Sequence, residues 1–291
     1  MKLRGVMPAL VTPFGDDGKI DFKQYEKLLN KLRNDGVKGW VPCGSTGEYN
    51  AMTSDERASV LKFVADFANK DELLIAGTNA GSTWEVIEHT RRARDLGYDT
   101  VLLSAPFYAT PAPNELIGHY RSVLDAVDVD IVVYNYPPKV GVEVGLDVLD
   151  AFVDEPRILG IKESGGNLLR AIDIRSRYGS RYQVTNGSDD QTLDFYLWGA
   201  TSWICGPANC MAKACVDLVN TIEGGDWLGA RDMMQVIYGA MSSLETGKFV
   251  QKVKYGCELA GTPVGLGRKP LLALTDEEKS AFRKAIEPVI G

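Results

Sequence analysis

A lysine closes the run Ile158-Leu159-Gly160-Ile161-Lys162, whose other members are apolar or small. Such a run suits a strand buried on both faces, so Lys162 carries an amine into a low-dielectric interior. Burial disfavours the ammonium form, and the side chain is expected to titrate below its usual value of about 10.4. Only the free amine attacks a ketone. At the ordinary pKa roughly one lysine in a few thousand is neutral at pH 7. A shift to about 7–8 raises that share by two to three orders of magnitude. Two-residue alternation puts Lys162 on one face with Gly160 and Ile158, and Ile161 and Glu163 on the other. Gly160 would leave open space beneath the long side chain. A plainer reading has Lys162 snorkelling outward, with Glu163 as its ion-pair partner.

Three other segments carry groups that suit an amine of this kind. Gly44-Ser45-Thr46-Gly47-Glu48 supplies two hydroxyls and several backbone N–H groups, which can form a nest for an anion such as a substrate carboxylate. No Gly-Lys-Ser/Thr follows, so it is not a nucleotide-phosphate loop, and it also fits a plain tight turn. Tyr108 follows Pro106-Phe107, and Tyr134 precedes Asn135. Each tyrosine alone suits a hydrogen-bonded core position. Together with Ser45 they can pass a proton to and from a substrate held on Lys162.

These segments fall at regular places in a repeating pattern. Short apolar, β-branched runs at residues 5–11, 38–43, 73–76, 100–104, 131–135, 158–162, 182–185 and 202–205 alternate with stretches of helical period. Phe22, Tyr25, Leu28, Leu29 and Leu32 share one helical face, as do Val60, Leu61, Val64, Phe67 and Ala68. Thr53-x-x-Glu56, Ser82-x-x-Glu85 and Thr275-x-x-Glu278 are capping boxes that start helices. Strands alternating with helices must pair in parallel. Eight units predict a closed (β/α)8 TIM barrel, with reactive groups at the C-terminal strand ends. The first strand runs into Thr12-Pro13-Phe14-Gly15 without the Gly-rich turn of an open dinucleotide-binding sheet. The barrel is expected to span residues 1–222. Beyond Glu223-Gly224-Gly225, a helical region over 223–291 carries Ala230, Met233, Met234, Ile237, Met241 and Leu244 at helical spacing.

Composition narrows the function. The chain has 291 residues, 45% apolar and 24% charged, which is enough for a core without metal or disulfide support. Its formal charge is −7 and no basic block stands out, which argues against nucleic acid. The two histidines, His89 and His119, are expected on helices, far from a metal cage or a serine triad. Five cysteines without a C-x-x-C pair suggest reduced thiols of a cytoplasmic protein. No apolar run reaches the length of about 20 residues that crosses a bilayer.

Taken jointly, the motifs resemble the dihydrodipicolinate synthase / N-acetylneuraminate lyase family of Schiff-base aldolases. The resemblance rests on Pro8-Ala9-Leu10-Val11-Thr12-Pro13-Phe14, Gly44-Ser45-Thr46-Gly47-Glu48, Tyr134-Asn135-x-Pro137 and Gly160-Ile161-Lys162-Glu163, in the family's order and spacing over essentially the whole chain. It implies an imine between Lys162 and a 2-oxo acid, with Tyr134 as general acid/base linked through Ser45 to Tyr108. In a dimer that last tyrosine would reach the neighbouring subunit's site. It implies further that Thr46, with the Ser45–Thr46 backbone, holds the substrate carboxylate, and that Gly187 and Ile204 line the pocket. A homotetramer built from tight dimers and the lack of any metal or organic cofactor are also implied.

The departures bear on the substrate. Lysine-biosynthetic members usually place an arginine where this chain has Lys139, and a lysine loses the bidentate grip on a carboxylate. Ser45 stands where threonine is common, and Tyr49 follows Glu48 where a smaller residue is usual. A lyase of 2-oxo-3-deoxy acids is therefore favoured over 4-hydroxy-tetrahydrodipicolinate synthase. A 1-pyrroline-4-hydroxy-2-carboxylate deaminase and a non-catalytic 2-oxo acid sensor are the other readings.

Overall fold

Where the sequence runs apolar and β-branched, the described residues form eight strands: β1 (Gly5–Pro8), β2 (Gly39–Trp40), β3 (Leu73–Gly77), β4 (Thr100–Ser104), β5 (Asp130–Asn135), β6 (Ile158–Glu163), β7 (Gln183–Asn186) and β8 (Ser202–Cys205). The computed structural model describes residues 2–290. All strand pairs are parallel, in the order β1-β8-β7-β6-β5-β4-β3-β2. The two ends of that order meet. Val41 N donates to Pro8 O at 3.2 Å and Leu10 N donates to Val41 O at 3.0 Å, which closes the barrel.

The first two strands are shorter than the sequence suggests. Pro8 lacks the N–H a ladder needs, and Cys43 adopts a left-handed φ of 58°, so the chain turns out of the sheet toward the Gly44–Glu48 segment.

Helices return the chain between strands. In order they are α1 (Phe22–Asn34), α2 (Ser54–Phe67), α3 (Thr83–Asp95), α4 (Pro113–Ala126), α5 (Pro137–Val140), α6 (Leu146–Asp150), α7 (Leu169–Tyr178), α8 (Thr192–Leu197) and α9 (Ala208–Glu223). The expected faces pack inward: Tyr25, Leu28, Leu29 and Leu32 of α1 are buried, as are Val60, Leu61 and Val64 of α2. Thr53 and Glu56 form the full reciprocal capping box of α2, and Ser82 accepts from Glu85 N at the start of α3. His89 and His119 lie on α3 and α4. All five cysteines are buried free thiols.

After the barrel come α10 (Trp227–Glu245), α11 (Phe249–Leu259) and α12 (Asp276–Ile290). Thr275 and Glu278 exchange the expected capping hydrogen bonds before α12. Helices α10 and α11 pack on α9, and α12 packs on α10. Met234, Ile237, Met241 and Leu244 form the buried stripe of α10. Among the described residues, no helix is long and apolar enough to cross a membrane.

Two hydrophobic layers result. One lies between strands and helices. The other fills the barrel interior with Leu3, Met7, Ala9, Val41, Ile75, Leu102, Val132, Tyr134 and Ile204. The β5–β6 register shows how Lys162 enters this interior. Ile131 pairs with Ile158, but Val132 pairs with Gly160, so Leu159 is a bulge. This extra residue breaks the alternation. Ile158 joins Ile161 in the outer layer instead of sharing the face of Lys162. Gly160 does not leave open space either: a Cβ there would fall 2.0 Å from Gln183 O, so it lets the β7 backbone come close.

Candidate active site

Beyond the bulge, strict pairing places Tyr134 beside Lys162 and Lys162 beside Thr185. Both Tyr134 and Lys162 are buried, and the lysine Nζ lies 4.4 Å from the centre of the phenol ring. Glu163 faces away and is not the lysine's partner. Its carboxylate accepts from Asn135 Nδ2, from Gly165 N at 2.8 Å and from Arg170 Nε at 2.8 Å. That outer network holds the ends of β5 and β6 in register and leaves Lys162 to the interior.

Loss of hydration pushes the Lys162 amine below its ordinary pKa, while the charge of Asp189 pulls it back up. Asp189 follows β7 in Asn186-Gly187-Ser188-Asp189, and its Oδ1 accepts from Trp203 Nε1 at 2.8 Å. Burial, reinforced by Glu245, raises the Asp189 carboxyl well above the usual range. Burial likewise raises the Tyr134 phenol, opposed in part by the nearby Ser164 and Ser45 hydroxyls. A phenol held protonated, with two hydroxyls nearby, is equipped to give and retrieve a proton.

Gly187 occupies a position where any side chain would displace its neighbours. A Cβ there would lie 2.6 Å from Lys162 Cε and 2.0 Å from Ser164 Oγ. The glycine therefore gives the lysine its channel.

The hydroxyl turn comes from the βα loop after β2. Ser45–Gly47 form a single 3₁₀ turn, and Glu48 follows with φ 58° and ψ 37°. Thr12 Oγ1 donates to Gly47 O at 2.7 Å and anchors the turn to the β1 end. These groups surround one cavity of about 550 Å³ at the C-terminal mouth of the barrel. Of the residues singled out from sequence, Lys162, Tyr134, Ser45, Thr46, Lys139, Gly187 and Ile204 all line it. Tyr108 does not. It has φ 72° and is 97% exposed, so within one chain it stands away from the other groups.

Sequence reasoning missed Asp189, Ser164, Glu245 and Phe249, which also line the cavity. For Asp189 a signal existed, because it follows a barrel strand at the reactive end. Glu245 and Phe249 arrive from α10 and α11, and nothing in their local sequence points to the mouth. Neither histidine lines the cavity, and burial holds both near a pKa of about 4.

Known proteins resemble this chain in sequence and fold. The sequence model of the Dihydrodipicolinate synthetase family matches residues 2–289. A 4-hydroxy-tetrahydrodipicolinate synthase from Methanothrix thermoacetophila is 34% identical over 287 residues, covering 97% of this chain and 96% of its own. The chloride-inhibited dihydrodipicolinate synthase of Acinetobacter baumannii, solved with pyruvate, superposes with a TM-score of 0.95 at 30% identity over 99% of both chains. The dihydrodipicolinate synthase of Thermotoga maritima does so with a TM-score of 0.94 at 26% identity over the full length of both.

Proposed function

Because this chain belongs to the dihydrodipicolinate synthetase family and is a lyase of that family, we propose that it acts on a small 2-oxo acid through an imine on Lys162. The observation that carries this is a buried amine 4.4 Å from a buried phenol ring, both lining one cavity at the barrel mouth. The neutral amine adds to the ketone carbon. The resulting carbinolamine takes a proton from Tyr134 on its hydroxyl, loses it as water and leaves a protonated imine. As an electron sink, the imine lets the adjacent carbon lose a proton or break a C–C bond. The enamine then adds to an aldehyde or expels a leaving group from the next carbon.

Tyr134 moves the protons, with Ser45 as the next link and Tyr108 as the outer one, supplied by a neighbouring subunit of a homotetramer of paired dimers. Thr46 and the Ser45–Thr46 amides hold the carboxylate, while Gly187 and Ile204 shape the wall around the imine carbon. No metal ion or organic cofactor takes part in these steps. Lys139 lies at the mouth, where a second substrate enters. The chain is read as a barrel over residues 1–222 and a C-terminal helical region over 223–291 that covers part of the mouth.

The leading substrates are 2-oxo-3-deoxy acids, cleaved, built or dehydrated at the imine, because a single lysine cation replaces a forked arginine at the mouth. The names of the relatives support a second reading, a 4-hydroxy-tetrahydrodipicolinate synthase proper. Borohydride reduction in the presence of pyruvate, followed by intact mass, tests the common step. A reduced adduct on Lys162 is expected, and binding without an adduct would point to a sensor. Turnover of a panel of aldehydes and 3-deoxy-2-oxo acids then separates the two substrate readings.

A further inference from the structure

The hydroxyl turn is gripped from the far end of the chain. Glu48 closes the turn two residues after Thr46, lines the cavity wall, and its side chain reaches groups of the C-terminal region. Its Oε1 lies 2.7 Å from Lys254 Nζ of α11, with the two side chains only 3% and 2% exposed. Its Oε2 accepts from Arg268 N at 2.8 Å. Lys254 Nζ also donates to Leu266 O at 3.0 Å and sits 4.4 Å above the Phe14 ring. The Arg268 guanidinium stacks on the same ring at 4.3 Å and binds Glu56 and the carbonyls of Gly18 and Ala51.

A buried ion pair is a poor device for stability, because desolvation offsets much of its attraction and an apolar pair of similar size is often as good. What it adds is direction. A carboxylate with both oxygens fixed holds Glu48 in the left-handed conformation, which a non-glycine residue adopts at some cost. With Gly47 O tied to Thr12 at the other side, the orientation of the Thr46 hydroxyl and amide is set.

We infer that Lys254 is a positioning residue, acting through Glu48 to aim the Thr46 turn at the carboxylate of the 2-oxo acid. The inference rests on the proposed imine chemistry and on Thr46 as the carboxylate holder. The C-terminal region is then part of the substrate-binding machinery rather than an appendage.

The test compares the full-length parent with Lys254→Met, Glu48→Gln, the double variant and Thr46→Val, using pyruvate and borohydride trapping. Lys254→Met and Glu48→Gln should each raise the half-saturating pyruvate concentration about tenfold, with the trapping rate at saturation within about twofold of the parent. A purely structural pair would lower the melting temperature and leave half-saturation alone. Should a single variant fail to fold, the double variant buries no ion and carries the same expectation. Adding Lys254→Met to Thr46→Val should produce little further shift, since both act on one contact. Folded variants with parental half-saturation would overturn the latch, whereas a parent that traps no adduct would overturn the imine reading itself.

Discussion

Tyr134 and Lys162 are register partners on β5 and β6, and the phenol ring lies 4.4 Å from the lysine nitrogen. Neighbouring strands fix this distance through the backbone, so it does not depend on a flexible loop. Catalytic groups on rigid elements keep their geometry through the proton transfers that imine chemistry demands.

Tyr134→Phe keeps the ring and removes the hydroxyl. The imine should still form, while turnover falls by roughly 10²–10⁴-fold, the usual share of a positioned acid/base group. Trapped adduct and steady-state rate measured on one preparation check this, and near-normal turnover would remove Tyr134 from the mechanism.

The rate of imine formation should rise with pH, because only the neutral amine attacks. Since burial places Lys162 below its ordinary 10.5, the rise should level off well before that pH. Asp189 raises the lysine pKa, so Asp189→Asn should move the inflection to lower pH. Stability follows the same sign. Between the depressed and ordinary values the folded chain binds fewer protons than the unfolded one, so this site's contribution to stability grows as pH rises through that window. At pH 7 the burial is a net cost, and Lys162→Met should raise the melting temperature by about 2–4 °C for each kcal/mol regained. Rapid-quench mass spectrometry and thermal melts read the two effects, and a rate still climbing at pH 10.5 would contradict the first.

At Gly187 a methyl group would strike two side chains, at Lys162 Cε and Ser164 Oγ, which can move aside, and would crowd the Glu163 carbonyl oxygen at 3.0 Å, which must give by only a few tenths of an ångström. Gly187→Ala should therefore fold, with its lysine displaced. Misplacement of about 1 Å can cost on the order of 100-fold, so imine formation should slow by that order. A folded variant with parental trapping kinetics would show that the channel is wider than the geometry indicates.

Arg170 and Glu163 form an ion pair with side chains only 8% and 0% exposed. Arg170→Met would leave a carboxylate buried without its cation, at a cost of roughly 3–5 kcal/mol. Chemical denaturation should report a loss of that size. A loss below about 1 kcal/mol would mean that Asn135 and the Gly165 amide satisfy Glu163 alone.

The barrel was legible because hydrophobic period and capping residues agree along the chain. The strand runs and the Thr53, Ser82 and Thr275 starts all point to one architecture. Lys162 was conspicuous because a charge stood at the end of an apolar run. The side chosen by Ile158 was not legible, since the bulge at Leu159 is a backbone event and plain alternation assumes none. Asp189 hid in an ordinary polar loop. The Glu48–Lys254 contact could not be found from local pattern, because it joins segments whose meeting depends on the packing of α11 over the barrel mouth.

The closure of the barrel has a consequence for synthesis. Its first strand lies between β8 and β2, and Asn209 reaches back across 200 residues to bond Ala9 O. On the ribosome, β1 thus emerges long before its later neighbour exists. Until the last strand appears, the nascent sheet offers unpaired edges to any other strand nearby. Premature termination ahead of β8 should yield aggregates rather than a smaller barrel.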